Sequence, residues 1–207
     1  MIYNIFLVII ATLASVSAFT RVGHMASRGS IKSFAKKEGR SESLPFMPDP
    51  TNLAGLPGNV GFDPVGFSNF VDIRWLREAE LKHCRICMLA VVGFVVSGFV
   101  QLPGEIHQVS PVLAHDTAVK SGAFGQVLLW ITIFELLSIK AINEMFEGSG
   151  REPGDYGFDP LKLSDGKSDA IKNDFALKEL KNGRLAMLAF SGIVTQAVLT
   201  GKEFPYI

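Results

Sequence analysis

Two stretches of the chain repeat one another, and that constrains the fold more than any other feature. Residues 79–91 read AELKHCRICMLAV and residues 178–190 read KELKNGRLAMLAF; Glu, Leu, Lys, Arg, Met, Leu and Ala coincide at seven of the thirteen positions. Upstream of each lies a second matched block, GFDPVGFS at 61–68 and GFDPLKLS at 157–164. The blocks keep the same order, at offsets of 96 and 99 residues. Such a chain is a duplicated unit of turn plus helix with an extra segment between the copies.

Each repeat continues into an apolar run, Ile86 to Val100 and Leu185 to Leu199, and a third run lies between them from Val127 to Ile142. Each is close to 15 residues, short of the ~20 that a membrane span needs. The repeat helices reach span length only if their Glu and Arg positions enter the membrane, which demands compensation of those charges. With three spans, one side carries Arg74, Arg77, Lys140, Arg151, Lys162, Lys167, Lys172 and Lys178, and the other only Lys120 and Lys202. The positive-inside rule turns the basic side, with the N-terminus, toward the compartment from which the chain inserts.

Glu80 and Arg85 stand five residues apart, as do Glu179 and Arg184. Five residues turn a helix by a net ~140°, so within one helix the two side chains diverge. Two helices crossing about a local two-fold axis solve this reciprocally, Glu80 meeting Arg184 and Glu179 meeting Arg85. The expected fold is therefore all-α, with three transmembrane helices over about 73–102, 124–145 and 170–200, the first and third crossed about a pseudo-two-fold axis.

His83 and Asn182 follow the two glutamates by three residues and share their side of the helix. Carboxylate, amide carbonyl and neutral imidazole are all able to fill the axial position of a hard cation such as Mg²⁺. Gln196 lies 14 residues beyond Asn182, ~21 Å along the helix. On the middle segment Gln126 opens the apolar run and Glu135 sits inside it. No Arg on that helix matches Glu135, so a metal or pigment partner is expected, while Lys140 snorkels to the surface. In the turns, Asp63 and Asp159 are expected to cap a short helical turn that begins at Pro64 or Pro160. Small residues (Ala90, Gly93, Gly183, Ala186, Ala189, Gly192) allow close helix approach.

The first 40 residues read as two targeting signals in series. Residues 1–18 form a signal peptide with an apolar core from Ile5 to Leu13, and 19–40 form a basic, Ser-rich, acid-poor transit segment. A single N-terminal anchor is the rival reading, disfavoured by the short apolar run. The join Ser17-Ala18-Phe19 resembles the bipartite presequence of algae with complex plastids. Without these 40 residues, fourteen basic and nineteen acidic residues remain, a net charge of −5, and nucleic acid is not an expected partner.

Residues 44–206 resemble the chlorophyll a/b and chlorophyll a/c light-harvesting family, carried by the paired ELKH-x-R-x-x-MLA and ELKNGRLAMLA blocks. The resemblance implies a light-harvesting pigment-binding domain over 41–207 in the plastid thylakoid membrane. It implies magnesium ligation of chlorophyll by Glu80, His83, Glu179, Asn182 and Gln196, and further by Gln126 and Glu135. Arg85 and Arg184 would support the ligands as ion pairs. Carotenoid end groups would lie near Phe62, Asp63, Pro64, Phe158, Asp159 and Pro160. The cofactors implied are chlorophyll a, chlorophyll c and xanthophylls of the fucoxanthin, diadinoxanthin or alloxanthin type. The segments SLPFMPDP, LPGEIH, VLAHD and GSGREPGDYGFDP look most like the red-algal-type branch. That makes a photosystem core, photosystem I by preference, and neighbouring antenna proteins the expected partners.

The chain departs from the family at Cys84 and Cys87, where the other repeat has Gly183 and Ala186. C-x-x-C can mean redox or zinc chemistry, but here no strand precedes it, and His83 adds only a third crowded ligand. Both are read as small packers. His107 and His115 are read as exposed loop histidines. The expected function is antenna light harvesting without catalysis. The rivals are a photoprotective relative that dissipates excitation, a redox enzyme built on Cys84 and Cys87, and, more remotely, a transporter.

Overall fold

A computed structural model describes residues 39–206 apart from 102, 105 and 106. The signal peptide over 1–18, and the transit segment over 19–40 except its last two residues, lie outside the described residues. From Arg40 onward the chain forms one compact unit. Its helices are α1 (Ile73–Phe99), α2 (Ala114–Ser121), α3 (Ala123–Glu147) and α4 (Asp169–Thr200), preceded by 3₁₀ turns at Thr51–Leu53 and Phe67–Asn69. The described residues form no strand beyond one isolated bridge between Arg40 and Pro48.

Three of the helices, α1, α3 and α4, are long and apolar enough to cross a membrane. Even the shortest, α3 with 25 residues, spans ~37 Å at 1.5 Å per residue, against a ~30 Å hydrocarbon core. Asp72 caps α1, its carboxylate accepting the Arg74 amide at 2.8 Å. The helix ends at Phe99, short of the expected 102, because Val100 turns extended ahead of Pro103. Left-handed glycines bracket α3 at Gly122 and Gly148 and end α4 at Gly201. The eight-residue α2 lies where the sequence reading has only a loop, and it carries His115.

The first and third spans, α1 and α4, cross at Cys84 and Gly183, which are equivalent positions of the repeat. A Cβ added to Gly183 would overlap the Cβ and Sγ of Cys84, so the backbones approach as closely as a single side chain permits. Cys84, Leu180 and Ala186 are buried around this crossing. The middle span α3 stands apart from α1 along most of its length and closes on it at its C-terminal half, where Ser138, Ile142 and Met145 are buried. Trp75 and Arg74 of α1 meet Phe146 there.

Little of this apolar matter is covered by protein. In the most apolar stretches of the three spans only 6% to 11% of the residues are buried. Leu89 and Leu188, again repeat equivalents, are 76% and 74% exposed. In water that arrangement would have little hydrophobic driving force; it suits a bilayer and whatever apolar molecules fill the gaps between helices.

Candidate functional site

At the crossing, each glutamate meets the arginine of the other helix. Arg85 Nε donates to Glu179 Oε1 at 2.7 Å, and Arg184 Nε donates to Glu80 Oε1 at 2.8 Å. Each guanidinium also reaches the loop that precedes the other unit: Arg184 donates to the Gly58 carbonyl at 2.9 Å and Arg85 to the Gly154 carbonyl at 2.8 Å. The two glycines are separated by the same 96 residues as the GFDP blocks. Both take left-handed φ, 68° and 82°, and a Cβ on either would strike a leucine of the facing helix, Leu180 at 2.6 Å for Gly58 and Leu81 for Gly154. These glycines escaped the sequence reading. The signal was present, since Pro57-Gly58 and Pro153-Gly154 extend the repeat upstream.

The arms differ in one bond. Arg77, which the repeat matches with Ala176, donates to Glu80 Oε2 at 2.8 Å and to the Pro57 carbonyl at 3.1 Å. Both Glu80 oxygens thus accept a guanidinium, whereas Glu179 receives only Arg85 among the described residues. A carboxylate oxygen has a second lone pair, so pairing does not close either site to a metal.

His83 and Asn182 occupy equivalent outward positions and are held alike. His83 Nδ1 lies 2.7 Å from the Ala79 carbonyl; a carbonyl only accepts, so Nδ1 carries the proton and Nε2 presents its lone pair outward. Asn182 Nδ2 donates to the Lys178 carbonyl at 2.9 Å, leaving Oδ1 outward. An imidazole nitrogen and an amide oxygen, each oriented by a backbone bond to residue i−4, would suit a metal that takes neutral ligands. Gln196 is exposed in the last turns of α4, and Gln126 in the first turn of α3. Neither belongs to the crossing.

Glu135 has a charge partner that the sequence reading did not find. Lys82 of α1 reaches across to α3, its Nζ lying 2.8 Å from Glu135 Oε2 and 2.9 Å from Ser138 Oγ. The cation comes from another helix, so no search along α3 alone could find it.

The aspartates of the GFDP turns act differently from expectation. They do not cap a helix that begins at the proline. Asp63 accepts the amides of Phe67 and Ser68 at 2.9 and 3.0 Å, and Asp159 accepts those of Leu163 and Ser164 at 3.0 and 2.8 Å. Each carboxylate therefore spans four and five residues and ties the loop into a ring. The chain passes through left-handed backbone at Gly66 (φ 75°) and at its repeat equivalent Lys162 (φ 51°), so no helix can start at the proline. Burial opposes the charge on Asp63, but Ser68, Phe67 and Gly66 outweigh it and hold its pKa below the ordinary carboxylate value. The Ser164 hydroxyl, with the Ser164 and Leu163 amides, does the same for Asp159.

The second loop is fastened by a residue without a repeat counterpart in kind. Glu78, 2% exposed, accepts the Gly154 amide at 2.6 Å, the Tyr156 hydroxyl, and Arg151 Nη2 at 3.3 Å. The Arg151 guanidinium lies over the Tyr156 ring, 4.6 Å from its centroid. Burial, reinforced by the Glu78 carboxylate, pushes the Tyr156 phenol up to about 12. Beside the first loop a groove of about 440 Å³ opens instead, lined by Phe62, Phe67, Leu76, Arg77, Glu80 and Arg184 among others. Ser68 also lines it, and its buried hydroxyl, although near Asp63, makes no hydrogen bond of good geometry.

Cys84 is fully buried at the helix crossing and Cys87 is partly covered; neither forms a disulfide. Among the described residues no three His, Cys, Asp or Glu side chains cluster as a metal site. His115, exposed, stacks edge-on against Phe124.

Residues 49–198 match the model of the family described as "Chlorophyll A-B binding protein". The chain is 38% identical over 145 residues to the fucoxanthin-chlorophyll a-c binding protein of Chattonella marina var. antiqua, covering 68% of this chain and 65% of that one. It is 33% identical over 171 residues to light-harvesting complex stress-related protein 3.2 of Chlamydomonas reinhardtii, covering 73% and 65%. It is 30% identical over 181 residues to chlorophyll a-b binding protein 3 of Pisum sativum, covering 70% and 65%. All three are described as chloroplastic, and the match spans just under two thirds of their length.

Proposed function

This chain belongs to the chlorophyll A-B binding protein family, and on that premise we propose that it is a thylakoid antenna subunit. In this reading it holds chlorophyll a, chlorophyll c and xanthophylls and delivers excitation to a photosystem, photosystem I by preference. The family is one of pigment-binding light-harvesting proteins rather than enzymes.

The observation that carries the reading is the pairing of equivalent donors at equivalent positions of the repeat. Glu80 and Glu179 sit in reciprocal ion pairs, and His83 and Asn182 are each braced on an i−4 carbonyl. A glutamate neutralised by an arginine, as Glu179 is by Arg85, brings a hard oxygen into the bilayer without a net charge. His83 and Asn182 do so as neutral groups. Gln196, Gln126 and Glu135 add ligands away from the crossing. Bound pigment supplies light absorption and energy transfer; the protein fixes where each ring sits and what polarity surrounds it. The carotenoid end groups are assigned to the turns at Phe62-Asp63-Pro64 and Phe158-Asp159-Pro160. The basic end of the bundle, with the N-terminus, faces the stroma.

The 33% identity to a stress-related light-harvesting protein supports a second reading, in which the same pigments dissipate excess excitation. A strongly shortened fluorescence lifetime in the isolated complex would select it; a long lifetime selects the antenna.

The test is reconstitution of the mature protein with a thylakoid pigment extract, beside Glu80→Ala/Glu179→Ala. The wild type is expected to bind chlorophyll and to show carotenoid-sensitised chlorophyll emission, and the double variant to lose pigment. A wild type that refolds stably without pigment would overturn the proposal.

A further inference from the structure

The middle span places a carboxylate among lipid-facing apolar side chains. Phe134, Leu136 and Leu137, the neighbours of Glu135, are each more than half exposed. An unpaired charge there is costly, and long side chains relieve that cost by turning toward the headgroups. On its own helix Lys140 is committed elsewhere, 3.9 Å from Glu144. The relief comes from Lys82, whose ammonium bonds Glu135 Oε2 and Ser138 Oγ, while the Ser138 hydroxyl donates to the Glu135 carbonyl at 2.9 Å. Oε1 is left outside this cluster.

The repeat isolates what is special about Lys82. Its equivalent on α4, Lys181, is exposed and has no hydrogen bond or ion pair among the described residues. The duplicated motif supplies a lysine in both copies, but among the described residues it is Lys82 that bonds to the middle span. Lys82 and Glu135 thus repeat, between α1 and α3, the device used twice at the crossing: an acid on one helix neutralised by a base from another.

We propose that Lys82 is a positioning residue for the ligand on the middle span. It holds Glu135 as a neutral ion pair, so that the remaining carboxylate oxygen coordinates a chlorophyll magnesium within the bilayer. The assignment rests on the reading of Glu135 as a pigment ligand.

The experiment reconstitutes the mature chain with thylakoid pigments and reads chlorophyll per protein together with the difference absorption spectrum. Glu135→Leu is expected to lose one chlorophyll and the absorption band that goes with it. Lys82→Met should lose the same chlorophyll and the same band, and Lys82→Arg should keep both. The decisive variant is Lys82→Met/Glu135→Gln: a neutral amide oxygen needs no counter-charge, so the lost chlorophyll returns. If Lys82→Met keeps the full complement, or the double variant is as depleted as Lys82→Met, Lys82 merely tethers α3 and the proposal fails. If Glu135→Leu itself keeps every chlorophyll, the ligand reading of Glu135 fails, and the role of Lys82 falls with it.

Discussion

The two copies of the repeat agree at the helix crossing and disagree in how each loop is fastened. At the crossing, glutamate, arginine, glycine carbonyl and leucine recur pair by pair. Away from it, α1 presents Glu78 to the second loop, while α4 presents Leu177 at the equivalent position. Leu177 Cδ1 lies 3.5 Å from where a Cβ on Gly58 would sit. The first loop is instead held from its own side, by the Ser41 hydroxyl on the Gly61 carbonyl at 2.6 Å, by Asn52 on the Ser68 carbonyl at 3.0 Å and by Arg77. The groove remains open beside it. Reciprocal charge pairs in a bilayer can be satisfied only together, so those positions stay matched. Each loop needs only its own anchor, so the anchors diverge and the two turns become different sites.

The largest expected break in this comparison comes from Glu78→Ala. It strands the half-buried Arg151 and releases Gly154 and Tyr156, at a cost of about 3–5 kcal/mol. Thermal unfolding should show that loss, with proteolysis appearing in 148–162 rather than 50–66; equal cleavage of both loops would refute the assignment. Next is the crossing itself, where the facing pair Cys84 and Gly183 has room for one Cβ. Gly183→Ala should lower stability by about 1–3 kcal/mol or more, whereas Cys84→Ala should cost less and leave pigment bound. Comparable losses would mean that the helices can move apart.

A smaller effect concerns pH. The Tyr156 phenol is held at about 12 by burial and by Glu78, above the ordinary value of ~10 for tyrosine. The fold therefore favours the neutral phenol. Its contribution is fully present below pH ~10 and is lost as pH rises through about 12. Alkaline titration of stability should show this fall, and Tyr156→Phe should flatten it. Smallest is Lys162, a non-glycine residue at φ 51° where the first unit has Gly66. Lys162→Gly should stabilise by at most ~1 kcal/mol, read as a small rise in melting temperature. No change would mean that the lysine conformation carries no strain.

Sequence periodicity and duplication were sufficient for three spans, for the crossed first and third helices, and for the reciprocal partners of Glu80 and Glu179. Five-residue spacing forbids pairing within a helix, and a two-fold relation is the remaining solution. The C-x-x-C likewise reads as packing from its place in the repeat, and Cys84 is buried at the crossing. Glu78, Lys82, Gly58 and Gly154 were harder to see, since each acts through a partner more than fifty residues away. The expected helical start at Pro64 and Pro160 failed for a local reason: left-handed backbone at Gly66 and Lys162 turns the chain first, and in the first loop the short 3₁₀ turn begins only at Phe67. Residue pattern dictates which faces are apolar and which charges must be neutralised, because helix geometry and bilayer energetics are the same at every point in a chain. Which lysine neutralises Glu135, and which loop Glu78 pins, depended on distances between helices. Those distances exist only once α1, α3 and α4 have been brought side by side.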